Sequence, residues 1–593
     1  MEQNKKIPVI IGETGHRNIV EEDKPLLKAQ IIESLKSIQL LCKGKDNGED
    51  TPIIMLNAFA QGSDMLCAEA AFELGIDVYA VLPCPKERYI ESFDNEVDKV
   101  KFFEYIDRAK RLIIAPDIEK NKSWLKDKAK ISDSSYEYRQ LGIYMAEHCH
   151  IMLALWDGQP PKTQYGCGTV EVIEFALKHK FLDGTHLFRP GNINDTAVIW
   201  INTRRAGDEA GAEIQKKWLI SNLPHKTGHD EEEYTVSDDP PEFIKKIINE
   251  TAEYNAENAS VPAGKTKLWK DVDKLDEYRK SLRYHYVKAD EISYNKNQRP
   301  YTLMLLILAI LGMLVALTFL IYDDASLPYM IFPCTMIIGA ILLLCLVGRK
   351  KGFHKKYIKY RAFAEALRIQ FYLSMCLNER VIVTNVCDLY SWTQKVDMVW
   401  IEKALRALAV IDSPDKLNIP ADEIVDVWIG RNEKPTGQLK YHSDKLPQNR
   451  KKAEKFDKLS TIFQIATLVL YLVLFTVEIV ALILKFKDVN FFWEGNVSGW
   501  LSWRNLGAIV LGVTTIGSLL LTSFWGKLSF DRKAEDNGKM VLFYASANER
   551  WKEVRDLPDT DKEKFLKEIA REEIVENGIW CSYVGENRLE INV

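Results

Sequence analysis

Two patterns of apolar residues divide this chain. In the first 205 residues the apolar runs are short: Ile7–Ile11, Ile53–Ala58, Val78–Leu82, Leu112–Ile114, Ile151–Leu155 and Val198–Ile201. Between them, Lys24–Leu41, Asp64–Leu74, Tyr136–His148 and Thr169–His179 carry apolar residues at helical spacing. Short apolar runs bounded by turn residues suit strands buried on both faces. Their alternation with helices predicts an α/β domain with a mostly parallel sheet. In such folds ligands sit at the carboxyl ends of the strands, near helix N-termini.

The second pattern is long and uninterrupted. Residues 301–322, 329–348 and 506–526 carry no charge, and 459–484 carries only Glu478. Each is long enough to cross about 30 Å of hydrocarbon as a helix. The short link Asp323–Pro328 holds no Lys or Arg, whereas Arg349, Lys350, Lys351, Lys355 and Lys356 follow the second run. Arg450, Lys451, Lys452, Lys455 and Lys458 precede the third run, and Lys527, Arg532 and Lys533 follow the fourth. By the positive-inside rule both termini and residues 349–457 are cytoplasmic. The second external link, Lys487–Arg504, holds Phe491, Phe492, Trp493, Trp500 and Trp503, which suits a short helix lying on the interface. The lead-ins at 283–300 and 440–458 both begin with a basic residue followed by Tyr-His, so the two pairs of spans read as a parallel duplication. The expected fold is an α/β N-terminal domain plus an α-helical membrane domain with four transmembrane helices in two hairpins.

Composition narrows the function. Lys plus Arg is 79 against 84 Asp plus Glu, a net charge of -5, which gives no reason to expect bulk nucleic-acid binding. The 10 cysteines form no Cys-x-x-Cys pair, which points to reduced, intracellular usage with neither disulfide framework nor zinc site. The start, MEQNKKIPVIIGETG, lacks a signal-peptide core. His148-Cys149-His150 resembles a metal cluster, but neighbouring residues of a strand face opposite sides, so core packing is expected and no metal.

Three strand-end segments carry ligand chemistry. Gly12-Glu13-Thr14-Gly15-His16-Arg17 follows the first strand; its glycines admit close approach of backbone to a ligand, and Arg17 suits a phosphate. Gly62-Ser63-Asp64 opens a helix, where Ser or Asp also serves as an N-cap. Trp156-Asp157-Gly158 precedes Gly166-Cys167-Gly168-Thr169-Val170-Glu171, a Gly-x-Gly-Thr helix start that offers N–H groups and a hydroxyl to an anion. The candidate contacts are Gly12, Thr14, Gly15, His16, Arg17, Gly62, Ser63, Asp64, Trp156, Asp157, Gly166, Gly168, Thr169 and Glu171.

These segments resemble the SLOG superfamily, the Rossmann-like group that includes the LOG nucleotide phosphoribohydrolases and the Smf/DprA proteins. The marks are G-x-T-G-H-R, the run G-S-D-x-L-x-A-E-A-A from 62 to 71, and W-D-G followed by G-x-G-T-x-E. The same type of sensor domain is similar to the N-terminal region of melastatin-type TRP channels. LOG enzymes carry P-G-G-x-G-T-x-x-E; here the final Glu falls on Val172, with Glu171 one residue early and the Pro-Gly pair missing. The resemblance therefore implies nucleotide binding without hydrolysis, no catalytic residue and no cofactor. The rival is a membrane-tethered N-glycosidase with Glu171 as its acid or base.

Residues 265–593 resemble SLATT domains, the two-span effectors that accompany SLOG sensors in bacterial conflict systems. The carriers are the Tyr/His-rich lead-ins, the paired spans, the helix from Tyr360-Arg361 to Leu367-Arg368 and EEIVENGIW at 572–580. The implied division is 1–205 sensor, 206–264 acidic linker with a helix from Pro241, 265–440 first unit with spans 301–322 and 329–348, and 441–593 second unit with spans 459–484 and 506–526. The implied partners are membrane lipid, a nucleotide second messenger and further copies of the chain in a homo-oligomer, with no direct nucleic-acid partner. The implied location is the bacterial inner membrane, and the implied role a ligand-gated pore or membrane-disrupting protein of antiviral defence. Glu478 is the pore candidate, because intramembrane charges usually face a cavity. Lys265–Arg299, without Gly or Pro, reads as a long helix leading into span one.

Overall fold

The computed structural model describes residues 6–44, 50–119, 122–160, 167–178, 195–207, 214–221, 234–262, 268–324, 327–377, 386–390, 392–411, 419–487, 489, 491–498 and 501–586. The chain forms two compact units. One takes in Met1–Ala289, Phe363–Asn418 and Leu566–Gly578; the other takes in Asp290–Ala362, Ile419–Phe565 and Ile579–Val593.

The first unit is built on an eight-stranded sheet. Its strands are β1 (Val9–Gly15), β2 (Ile53–Asn57), β3 (Asp77–Leu82), β4 (Arg111–Ile114), β5 (Ile151–Trp156), β6 (Ala197–Asn202), β7 (Lys216–Ser221) and β8 (Tyr234–Ser237). Their spatial order is β4-β3-β2-β1-β5-β6-β7-β8. All neighbours from β4 to β6 are parallel, whereas β7 and β8 join antiparallel. The segment read as an acidic linker thus supplies two strands as well as its helix. Helices α1 (Lys24–Leu41), α2 (Ser63–Glu73), α3 (Lys86–Tyr89), α4 (Glu96–Arg108), α5 (Lys122–Ala129), α6 (Asp133–His148), α7 (Thr169–Lys178) and α8 (Glu242–Ser260) accompany the sheet. Because the chain moves outward from β1 through β4 and then returns to β5 on the other side of β1, strand order reverses between β1 and β5. A crevice opens at such a reversal.

Strand β1 is longer than its apolar run. Gly12 and Gly15 lie within it, paired with Met152 and Leu155 of β5, and not in a loop. A methyl at Gly15 would lie 2.4 Å from Ser63 Cβ, so glycine lets α2 press against the end of β1. Every residue of β5 is buried. His148 and His150 are buried too: the Ile10 N–H donates to His150 Nδ1 at 3.0 Å. Burial holds both imidazoles neutral, with pKa values pushed down to about 3.

Helices α9 (Glu277–Glu291), α10 (Arg299–Asp324), α11 (Ile331–Lys351), α12 (Phe353–Leu377), α13 (Trp392–Ile411), α14 (Ala421–Trp428), α15 (Gly437–Phe486), α16 (Trp503–Leu528), α17 (Phe530–Val554) and α18 (Asp559–Glu586) complete the chain. The expected long helix before span one starts only at Glu277 and passes through a π-helical stretch, Ile292–Gln298. Pro300 has no N–H to donate, and the Asn297 side chain supplies a bond to the Ile292 carbonyl at 2.9 Å.

Among the described residues, four helices are long and apolar enough to cross a membrane, and they lie on α10, α11, α15 and α16. Their most apolar windows are at most 11% buried. Within this unit α16 packs against both α10 and α15. Gly507, Gly512 and Gly517 serve this packing despite lacking small-xxx-small spacing. Five residues turn a helix by about 140°, so successive glycines meet different neighbours. A methyl at Gly507 would lie 2.7 Å from Leu474, and one at Gly512 would lie 2.6 Å from Leu320. Among the described residues, the aromatic link before α16 contains a short 3-10 helix, Phe492–Glu494, and a small antiparallel pair, Asn496–Ser498 with Leu501–Ser502.

Candidate functional site

A cavity of about 900 Å³ lies at the carboxyl ends of β1 and β2, beside the reversal of strand order between β1 and β5. Three layers of residues build it.

The floor is acidic. Glu13, in β1, is 2% exposed and accepts from Asn57 Nδ2 at 3.3 Å. Asp64, in the first turn of α2, is close enough to share a hydrogen bond with Glu13, and it accepts the Ala60 N–H at 3.2 Å. Burial, and then the neighbouring Asp64 charge, push the Glu13 carboxyl well above the carboxylate range. Burial also raises Asp64, to about 6, but Arg17 opposes that rise. The two carboxyls titrate as a pair whose affinity for protons burial raises, and the Arg17 guanidinium favours the ionised form of Asp64.

The side wall is cationic and aromatic. Arg17 Nη2 donates to Tyr138 Oη at 3.1 Å and Nη1 to the Ser92 carbonyl at 3.3 Å, and the guanidinium lies 5.4 Å from the Tyr138 ring centroid. His16 bridges two elements: the Asp157 N–H donates to its Nε2 at 3.2 Å, and Thr169 Oγ1 lies 3.4 Å from its Nδ1. Asp157 also pairs with Arg205 at 2.6 Å, so it braces two cavity-lining residues.

The rim is formed by two helix starts. Ser132 caps α6, accepting the Ser135 N–H at 3.1 Å. Gly168 precedes α7, and the first intrahelical bond runs from Val172 N–H to the Gly168 carbonyl. The N–H groups of Thr169, Val170 and Glu171 therefore precede the helix's own bonding pattern, as anion sites require. Two contacts fix these helices. A methyl at Gly142 of α6 would lie 2.6 Å from Val172 of α7. Arg139 of α6 makes a bidentate pair with buried Glu119 at 2.8 and 2.9 Å.

Thr14, Gly15, His16, Arg17, Asp64, Gly168, Thr169 and Glu171 all line this cavity. Gly12, Gly62, Ser63, Trp156 and Asp157 stand behind it, and Gly166 lies outside the described residues. Ser63 is turned inward: its N–H and Oγ both donate to the His16 carbonyl, at 3.1 and 2.8 Å. That bonding spends the start of α2 on the β1 end, leaving α6 and α7 as the helix starts that can meet an anion. Gly62, at φ +84, has the Arg17 carbonyl 2.1 Å from where a Cβ would sit. Trp156 donates its indole N–H to the Gln159 carbonyl.

Glu13, Tyr89, Ser132, Ser135, Tyr138 and Arg205 also line the cavity without having been expected there. A carboxylate inside an apolar strand was the available signal for Glu13, and Ser-x-x-Ser before a helix was the signal for Ser132 and Ser135. Among the described residues no group of His, Cys, Asp and Glu is arranged to hold a metal. No known family model matches this sequence, and no curated protein matches it.

Proposed function

We propose that the α/β unit binds a nucleotide-derived signal and that the membrane helices answer it, as a ligand-gated pore or membrane-disrupting effector of antiviral defence. One observation carries the reading: Arg17 and the starts of α6 and α7 surround one cavity at the reversal of a parallel sheet, in a chain with four membrane-length helices. Phosphate would meet Arg17 and the α7 start; ribose or base donors would meet Asp64 and Glu171. In this reading the spans form two hairpins in a bacterial inner membrane, with both termini cytoplasmic. Several copies assemble, because four spans make a narrow bundle alone.

The test is thermal stabilisation of detergent-purified protein by cyclic oligonucleotides, ADP-ribose derivatives, NAD and nucleoside monophosphates, followed by mass spectrometry of each mixture. A stabilising nucleotide recovered intact, with liposome flux that follows its addition, supports the sensor. Arg17→Ala and Gly168→Asp should abolish both responses. Stabilisation retained in both variants would refute the site.

The Glu13–Asp64 pair favours a second reading, a nucleotide N-glycosidase. Two carboxyls whose surroundings separate their pKa values are how acid–base chemistry is arranged. Free base in the same mass spectra, lost in Glu13→Gln, would establish it.

A further inference from the structure

We propose that Lys452, Lys533 and Phe530 form a binding site for the phosphate of an anionic phospholipid. Lys452 lies on α15, seven residues before the apolar run that opens at Leu459, and Lys533 lies in the first turn of α17, just beyond the end of α16. Both ammonium groups sit on one ring: Lys452 Nζ is 5.2 Å and Lys533 Nζ 5.3 Å from the Phe530 centroid. Phe456 of α15 stacks against the same ring at 6.4 Å.

Neither lysine pairs with a carboxylate among the described residues. Glu454, Asp457 and Asp531 are near in sequence, but each is exposed and none is within ion-pair distance of either lysine. Burial, and then the Lys452 charge, lower the Lys533 pKa. Two like charges on one ring without a counter-ion form an arrangement that an intervening anion relieves. The α17 N-terminus adds its partial positive charge on the same side.

The surface above selects the form of the anion. Leu459, Ile462 and Leu519 are exposed apolar residues on α15 and α16, and the most apolar window of α15 is 0% buried. A phosphate carried on acyl chains satisfies both the lysines and this surface. A free phosphate satisfies only the lysines and is screened by salt. Anionic headgroups gain from each basic residue near the surface, but the shared aromatic ring makes this pair a defined site within the longer basic run.

The test uses full-length protein in detergent, with melting followed as dioleoylphosphatidylglycerol, dioleoylphosphatidylcholine or inorganic phosphate is added. Phosphatidylglycerol should stabilise the wild type most, and Lys452→Gln/Lys533→Gln should weaken its apparent affinity by roughly tenfold or more. Lys451→Gln/Lys455→Gln, in the same basic run, removes the same charge and should weaken it several-fold less than the Lys452/Lys533 pair does; equal losses overturn the defined site. Lys452→Arg/Lys533→Arg should retain binding and serves as the informative pair if the glutamine variant does not fold. An unchanged response in the glutamine pair overturns the site. Equal stabilisation by inorganic phosphate at matched concentration overturns the lipid assignment, as does native mass spectrometry in which delipidated wild type takes up no phosphatidylglycerol.

Discussion

The two units use the same apolar side chains in opposite ways. In the α/β unit, β5 is buried along its whole length, and beside it the Ile10 N–H bonds His150 Nδ1 and the Lys403 ammonium bonds the Cys149 carbonyl. In the membrane-length helices the apolar residues face outward, and Leu343, Leu346, Ile462 and Leu519 are each more than half exposed. Water makes the first arrangement necessary; hydrocarbon permits the second, provided every backbone group bonds within its own helix. The contrast predicts where substitutions are costly. The α/β unit depends on close backbone approach and paired buried charge, whereas the spans depend mainly on being apolar.

The largest effect is expected at Gly62. Its positive φ and the nearby Arg17 carbonyl leave no room for a side chain. Gly62→Ala should destabilise the protein by about 3 kcal/mol or more. Gly339 in α11 has nothing within 4 Å, so Gly339→Ala should shift stability by less than about 1 kcal/mol, toward higher helicity. Chemical denaturation of the two variants in the same detergent checks the pair. Similar losses would mean that the spans are as tightly specified as the sheet.

Next is Arg406, on α13. It is buried among Glu147, Asp388 and Glu402, with the first at 3.3 Å and the others at 3.0 Å. Arg406→Met keeps the volume and strands three carboxylates, so a loss of about 3–5 kcal/mol is expected. Hydrogen exchange should locate the loosening at α6 and α13. A near-neutral result would mean that the carboxylates protonate at little cost.

A third effect depends on pH. Asp64 has a folded-state pKa of about 6 against an ordinary value of 3.8, so the folded state binds its proton more readily than the unfolded chain. Its contribution is therefore fully favourable below about pH 4 and declines as pH rises toward 6. Glu13→Gln/Asp64→Asn should remove that decline and gain thermal stability at pH 7 relative to pH 4, by up to a few degrees. Parallel profiles for wild type and variant would mean that the two carboxyls do not share a proton.

How much of this was legible in the residues follows the same division. The four membrane-length helices were readable because uncharged runs of some 20 residues stand out from the rest of the chain, and Ile53, Val78, Ile151 and their neighbours marked strands nearly to the residue. The end of β1 was not readable. Gly12 and Gly15 interrupt an apolar pattern and suggest a loop, whereas their purpose is the approach of Met152 and Ser63, set by residues distant in sequence. Strand β7, with Lys216 and Lys217 among its six residues, was masked by acidic surroundings. The start of α7 was visible as Gly-x-Gly-Thr, whereas the start of α6 was read three residues late, at Tyr136, past its Ser132 cap. Tyr138 and Arg205 reach the cavity through tertiary packing, and no local pattern announces them.

The smallest effect is expected at the charge that most invites a functional reading. Glu478 is a carboxylate on an apolar helix, which suggests a pore lining. Its Oε1 accepts from Arg504 Nε at 2.7 Å and from the Trp493 indole at 3.1 Å, and its side chain is 41% exposed. It lies eight residues before the end of α15, about 12 Å along the axis. A carboxylate so placed ties α15 to the start of α16 beside their connecting link. An exposed pair of this kind contributes about 1 kcal/mol or less, unlike the fully enclosed charges around Arg406. Glu478→Gln keeps both acceptor bonds through the amide oxygen and removes only the charge. It should lower the melting temperature by no more than a few degrees and leave ligand-triggered liposome flux within about twofold. A tenfold loss of flux, or a change in ion selectivity, would place Glu478 on the conduction path. The ion pair with Arg504 would then belong to a closed state, and the membrane helices would depend on buried charge as the sheet does.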